Sequence, residues 1–379
     1  MKNLGLSAIL ILSIQFAFGA QIDSLENALK NASGDQKVKI LNELFRANIN
    51  SDPVKAVGYT REALKEAQAL KDQKGMAASY NNLGISYRNQ GALDLALENY
   101  LQSLTLYTTI QNAEGMASSK NNIANIYLIK KDFGQALKYF EESHNGFVGL
   151  GDRDKIIGSM NNLGNLHSDL QLYDQALNYY TEAWKLSEKS SNRSADPLSN
   201  IGNLYYRQGN FQRAIEYYQR AMEIVKGQND RISELALLAN IGEVYMRANQ
   251  FLEAQRYLDQ ALSLMKELQA SYFMPQILKS MAANYSKQGK LKEAYETMVK
   301  YDEAREKVYG EESSRKIAQM DVALKLREQE RKIEALEIDD QMKTLKLRNT
   351  QMIISAVVVS IVAIIALVNL FLMYKRMRR

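Results

Sequence analysis

Asn81-Asn82-Leu83-Gly84-Ile85-Ser86-Tyr87, followed by Leu95-Ala96-Leu97-Glu98-Asn99-Tyr100, is a phrase the chain repeats. It returns as Asn121-Asn122-Ile123-Ala124-Asn125-Ile126-Tyr127 with Ala136 and Phe140. It returns again as Asn161-Asn162-Leu163-Gly164-Asn165 with Ala176 and Tyr180. One position keeps its alanine throughout. Ala56, Ala96, Ala136, Ala176, Ala214, Ala254 and Ala294 are separated by 40, 40, 40, 38, 40 and 40 residues. A fixed period in this range marks a stacked repeat. Each unit cannot bury its apolar face alone, so neighbours bury it together.

Each unit reads as two helices. With 3 prolines in 379 residues and many Ala, Leu, Glu, Lys and Gln, the chain favours helix, and no stretch alternates like a strand. Helix A carries Leu or Ile, then Gly or Ala, then an aromatic three residues on, as in Leu83-Gly84-Tyr87 and Ile241-Gly242-Tyr245. Helix B carries the alanine and, four residues on, a large residue such as Tyr100, Phe140 or Tyr218. The reason is steric. Two helices approach to about 8 Å only where one offers Gly or Ala and the other fills the gap.

These residues resemble the tetratricopeptide repeat (TPR). The family's small residue of helix A falls on Gly84, Ala124, Gly164, Gly202, Gly242 and Ala282. Its helix A aromatic falls on Tyr87, Tyr127, Tyr205, Tyr245 and Tyr285, with His167 in the remaining slot. The period of 40 is longer than the family's usual one and the closing proline is missing, as in the long-helix repeats of kinesin light chains and bacterial peptide receptors. The expected fold is all-α. It is a TPR superhelical solenoid of about seven 40-residue repeats, followed by a helical stalk and one transmembrane helix.

The two ends give the expected organisation. Residues 1–20 have the positive start, apolar middle and small-residue exit of a signal peptide, cleaved after Gly19 or Ala20 or kept as an anchor. A capping helix is expected over 21–35, the TPR array over 36–309, and a charged helical or coiled-coil stalk over 310–351. Val322, Leu326, Ile333, Leu336 and Leu347 form an imperfect seam in that stalk, fit for a parallel homodimer or a solvated single helix. Met352 to Met373 carries no charge, and 22 residues reach about 33 Å against a hydrocarbon core of about 30 Å. A transmembrane helix is therefore expected over 352–374, with a basic cytoplasmic tail over 375–379. This places the chain in a bacterial cytoplasmic membrane as a single-pass protein, with the array periplasmic and the C-terminus cytoplasmic.

The net charge of +5 is accounted for by Lys2, Lys375, Arg376, Arg378 and Arg379, so the body is near neutral. That argues against a nucleic-acid partner, which needs clustered positive charge. There is no cysteine, and the two histidines, His144 and His167, read as packing or surface residues. No phosphate loop, nucleophile elbow or metal-ligand spacing is present. No catalysis and no cofactor are expected.

The informative polar feature is a column of asparagines. Asn42, Asn82, Asn122, Asn162, Asn200 and Asn240 share one slot of helix A, and Asn125, Asn165, Asn203 and Glu243 lie three residues on. The TPR resemblance puts this slot on the concave groove. Asn offers a donor pair and an acceptor, which match the N–H and C=O of an extended peptide. The same amides could instead bond the adjacent helix and hold the pitch. The candidate groove residues are Asn82, Asn122, Asn125, Asn162, Asn165, Asn200, Asn203, Asn240 and Glu243.

The whole arrangement resembles the exported sensory half of bacterial membrane-bound TPR regulators. The resemblance implies a groove that binds a peptide or protein ligand as the sensing part of a signalling system, with a separate cytoplasmic output protein. The alternative is a passive scaffold in envelope assembly or transport, with no signal crossing the membrane.

Overall fold

The computed structural model describes residues 22–49, 52–190, 193–310, 339 and 342–361, with single positions 364, 367, 370 and 373 beyond. The chain divides into Met1–Ile317 and Ala318–Arg379. In the first unit a short helix α1 (22–31) precedes a series of helix pairs. The first three pairs are α2 (Gly34–Asn48) with α3 (Pro53–Leu70), α4 (Gln73–Asn89) with α5 (Leu93–Thr109), and α6 (Ala113–Ile129) with α7 (Phe133–Leu150). The middle pairs are α8 (Arg153–Asp169) with α9 (Tyr173–Glu188), and α10 (Asp196–Arg207) with α11 (Phe211–Gly227). The last are α12 (Arg231–Arg247) with α13 (Phe251–Glu267), and α14 (Met274–Lys287) with α15 (Leu291–Arg305). The even-numbered helices are the A helices, the odd-numbered ones from α3 onwards the B helices.

The turns explain the regular length. Most helices end with one residue in the left-handed region, which frees the next residue to cap the following helix. At one turn Lys71 has φ 56° and Asp72 then accepts the Gly75 N–H at 3.0 Å. Gln111 (φ 54°) with Asn112, and Lys131 (φ 60°) with Asp132, repeat the device. The irregular step of 38 has a local cause. Helix α10 has 12 residues where α8 has 17, and Pro197 lies in its first turn. Helix α9 also ends early, with 16 residues against 18 in α7, and the longer linker before α10 restores only part of the helical length lost; its Ser194 N–H donates to Ser187 Oγ at 2.7 Å to hold it.

Packing within each pair turns on one small residue. A Cβ on Gly84 would lie 2.5 Å from the Tyr100 ring, and one on Gly164 2.4 Å from Tyr180. One on Gly202 would meet Tyr218 at 2.8 Å, and one on Gly242 would meet Leu258 at 2.7 Å. Ala124 and Phe140 share a buried cluster in the third repeat. In the first repeat the sizes are exchanged: Leu44 fills the small slot, Thr60 the large one, and both are fully buried. The column alanines from Ala56 to Ala254 are fully buried, whereas Ala294 is half-buried on the last helix.

The A helices lie on the inner side of the curve. Consecutive A helices touch (α2 with α4, α4 with α6, α8 with α10, α12 with α14), while no consecutive B helices make comparable contact among the described residues. Closer spacing on one side is what curvature means in a solenoid.

The second unit corrects the membrane reading. Its described helix α16 (342–361) exposes its side chains throughout. Among the described residues no helix is long and apolar enough to cross a membrane. The first half of α16 carries Lys343, Lys346 and Arg348, and among the described residues its continuous apolar part, 352–361, covers about 15 Å, half the span required. The transmembrane helix expected over 352–374 is thus overturned, and with it the single-pass anchor and the placement in the cytoplasmic membrane. The signal peptide (1–20), the tail (375–379) and all of the stalk seam except Leu347 lie outside the described residues.

Two glycines of one helix should respond oppositely to alanine. Gly164→Ala should lower stability by about 1–3 kcal/mol, because its Cβ overlaps Tyr180. Gly158→Ala, whose Cβ meets nothing within 4 Å, should raise it by about 0.5–1 kcal/mol. Urea unfolding of each variant reads both signs.

Candidate functional site

The asparagine column forms a chain of hydrogen bonds from repeat to repeat. Asn82 Nδ2 donates to Asn42 Oδ1 at 2.8 Å, and Asn42 Nδ2 to the Val38 carbonyl at 3.1 Å. From the third repeat the acceptor moves back by one residue. Asn122 Nδ2 donates to Asn81 Oδ1 at 2.8 Å, Asn162 to Asn121 at 2.9 Å, and Asn200 to Asn161 at 3.3 Å. Asn240 instead accepts from Gln276 at 3.3 Å. The acceptors Asn81, Asn121 and Asn161 were not among the sequence candidates. Their signal was the Asn-Asn doublet itself.

Each of these amides has capacity left. Asn122, Asn162 and Asn200 spend one N–H on the preceding repeat; among the described residues nothing engages their second N–H or their oxygen. All three are half-buried, whereas Asn82 is buried.

The second row of candidates is tied differently. Asn165 Oδ1 accepts the Tyr180 hydroxyl at 2.7 Å, and Asn203 Oδ1 accepts that of Tyr218 at 2.5 Å. Asn125 donates to the Asn121 carbonyl at 2.8 Å, and Glu243 accepts from Tyr206 at 2.7 Å. Asn165 and Asn203 are exposed; Asn125 and Glu243 are half-buried. In the second repeat Ile85 stands where Asn165 stands in the fourth, so the buried Tyr100 hydroxyl has no acceptor. Burial pushes the Tyr100 phenol up to about 12.

Between the third and fourth repeats the A face opens into a cavity of about 310 Å³. Its lining includes Asn121, Asn122, Asn162, Phe147, Lys155 and Gly158. With Ser118 and Ser159, the wall is mainly uncharged amide and hydroxyl, with one aromatic ring. Lys155 is neutralised by Glu114 and by Asp152 at 3.3 Å, and the Glu114 bond holds its ammonium above the usual lysine value. Gly158 is exposed at the rim of α8.

His144 on α7 backs this wall. Ser159 Oγ donates to the Ile156 carbonyl at 2.8 Å, so its contact with His144 Nδ1, also 2.8 Å, places the imidazole proton on Nδ1. His167 sits in the aromatic slot, 5.1 Å from the Tyr179 ring. Among the described residues no group of three or more His, Cys, Asp and Glu is placed to hold a metal ion.

Tetratricopeptide-repeat family models match residues 115–189, 193–267 and 76–110. No curated protein matches the chain. Among solved structures, the apo form of RapI is similar at 15% identity with a TM-score of 0.57, over 72% of this chain and 99% of its own. A signal-transduction ATPase with a tetratricopeptide repeat sensor, from Pyrococcus horikoshii, is similar at 17% identity and TM-score 0.58, over 72% of this chain and 42% of its own. The Rap conjugation gene regulator of plasmid pLS20, in complex with the Phr* peptide, is similar at 16% identity and TM-score 0.51, over 72% and 74%. These likenesses bear on the fold.

Two measurements follow. Tyr100→Phe removes an unpaired hydroxyl and should stabilise the array by about 1 kcal/mol, while Tyr180→Phe breaks the bond to Asn165 and should cost about as much. Chemical denaturation of the pair reads the contrast. Burial lowers the His144 pKa from its ordinary 6.5, so below that pH the unfolded chain binds the proton more readily than the folded one. Thermal stability should therefore fall as pH drops through the range just below 6.5, and His144→Gln should flatten that slope.

Proposed function

Because the chain carries tetratricopeptide repeats, we propose that its A-helix face binds an extended segment of a peptide or protein, read chiefly through the main chain. The observation that carries this is the half-used amide. Asn122, Asn162 and Asn200 are each oriented by one bond to the preceding repeat and keep one N–H and one oxygen, the complement of a peptide unit. Neighbouring A helices packed at about 8–10 Å would meet an extended chain roughly every third residue. Asn82, Asn125, Asn165, Asn203, Asn240 and Glu243 extend the same surface, with Asn82 the least accessible. The cavity beside Phe147 and Gly158 takes one ligand side chain. A bound Phr* peptide on a regulator of the same fold fits such a ligand.

The amide that would hold the ligand also ties two repeats together. A ligand that reorients Asn122 or Asn162 acts directly on the bond to Asn81 or Asn121. Occupancy is thereby linked to the pitch of the stack, as a sensing component of a signalling system requires. A passive scaffold would bind without that coupling.

The test uses the full chain and peptides selected on it from a random library. Gly158→Trp fills the cavity from a position whose Cβ touches nothing, so the fold should hold. It should weaken the selected peptides about tenfold or more, the effect of losing a well-packed contact. Unchanged affinity with an unchanged melting temperature would exclude this face. Hydrogen exchange along α4–α8 on peptide addition separates sensor from scaffold.

A further inference from the structure

Helices α9, α10 and α11 carry a row of rings and guanidinium groups that takes no part in the asparagine network. The Arg220 guanidinium lies 5.8 Å from the Trp184 ring centroid and 5.1 Å from that of Tyr217. Tyr217 stacks on Tyr205, centroid to centroid at 5.5 Å. Arg213 closes the row, 5.3 Å from the Tyr205 ring and donating to its hydroxyl at 3.1 Å. The order is Trp184, Arg220, Tyr217, Tyr205, Arg213. Trp184 is the only tryptophan of the chain, and it remains half-exposed.

Rings take the place that carboxylates fill for other arginines of the array. Arg207 pairs with Asp169, Arg231 with Glu234 and Glu267, and Arg256 with Glu253. Among the described residues neither Arg213 nor Arg220 pairs with a carboxylate. Glu216 and Glu223 lie about one turn to either side of Arg220 on α11, exposed, and neither pairs with it. Ring faces hold a guanidinium in place without using its in-plane N–H donors. The charge is thus oriented; the donor edge of Arg220 is open, and Arg213 spends one N–H on the Tyr205 hydroxyl and keeps the others. Trp, Tyr and Arg are also the residue types that concentrate binding energy at protein interfaces.

We propose that this row is a second docking surface, which takes an acidic peptide segment of a protein partner. Its Asp or Glu carboxylates accept forked hydrogen bonds from Arg220 and Arg213, and its apolar atoms cover Trp184 and Tyr217. A protein segment is favoured over nucleic acid by arithmetic of charge. Polyanion binding depends on neutralising several phosphates, and this row supplies two guanidinium groups without a carboxylate partner on a near-neutral body.

The probe is fluorescein-labelled hexaglutamate at low salt, read by anisotropy on the full chain. Arg213→Gln with Arg220→Gln should weaken it about tenfold or more, as expected on losing two charge-assisted contacts. Arg220→Lys, which keeps charge but not the planar fork, should recover only part of the loss. Absence of saturable binding to the wild-type chain overturns the proposal. So does equal affinity in the double variant at an unchanged melting temperature. An oligothymidylate of equal charge that binds at least as tightly overturns it in favour of nucleic acid.

Discussion

The close approach of helix A to helix B, glycine or alanine against a large side chain, is the contact on which the rest depends. At Gly84, Gly164, Gly202 and Gly242 there is no room for a further carbon. The exchange of Leu44 and Thr60 in the first repeat shows that summed volume is the requirement, not residue identity. With each pair closed to the same separation, the next A helix arrives at a fixed place. Only then can Asn162 reach Asn121, or Tyr180 reach Asn165.

That order explains what could be read from the sequence. The alanine column and the Gly–aromatic slots were legible because a steric requirement allows few residue types and recurs with the period. The asparagine column was legible as a column but not as a network. From the third repeat to the fifth its acceptors sit one residue earlier in the preceding repeat, and periodicity does not tell a neighbour in the chain from a neighbour in space. The Tyr–Asn bonds cross 15 residues within a repeat and depend on the helix crossing. The step of 38 was visible, yet only the structure assigns the missing length to the early end of α9, since the longer linker offsets the shorter α10.

The C-terminal segment shows the opposite error. The described helix α16 carries charges in its first half, and among the described residues no helix is long and apolar enough to cross a membrane. The asparagine face and the arginine–aromatic row, by contrast, draw on local geometry: one on amides with half their bonding capacity in use, the other on cations held by rings instead of carboxylates.

The turn device has a consequence for how such a chain can change. From Gln73 to Glu188 each unit begins after an Asp or Asn cap, Asp72, Asn112 or Asp152, and closes on the same small-against-large contact. Removal of residues 113–152 would join Asn112 to Arg153 and bring Asn162 opposite Asn81, the acceptor that Asn122 now uses. The junction would keep its cap, its acceptor and its spacing. Recombination between these blocks of equal length could therefore lengthen or shorten the array by whole units without a misfit at the seam. The longer linker before α10 ends that freedom, because the units on either side of it no longer share one length.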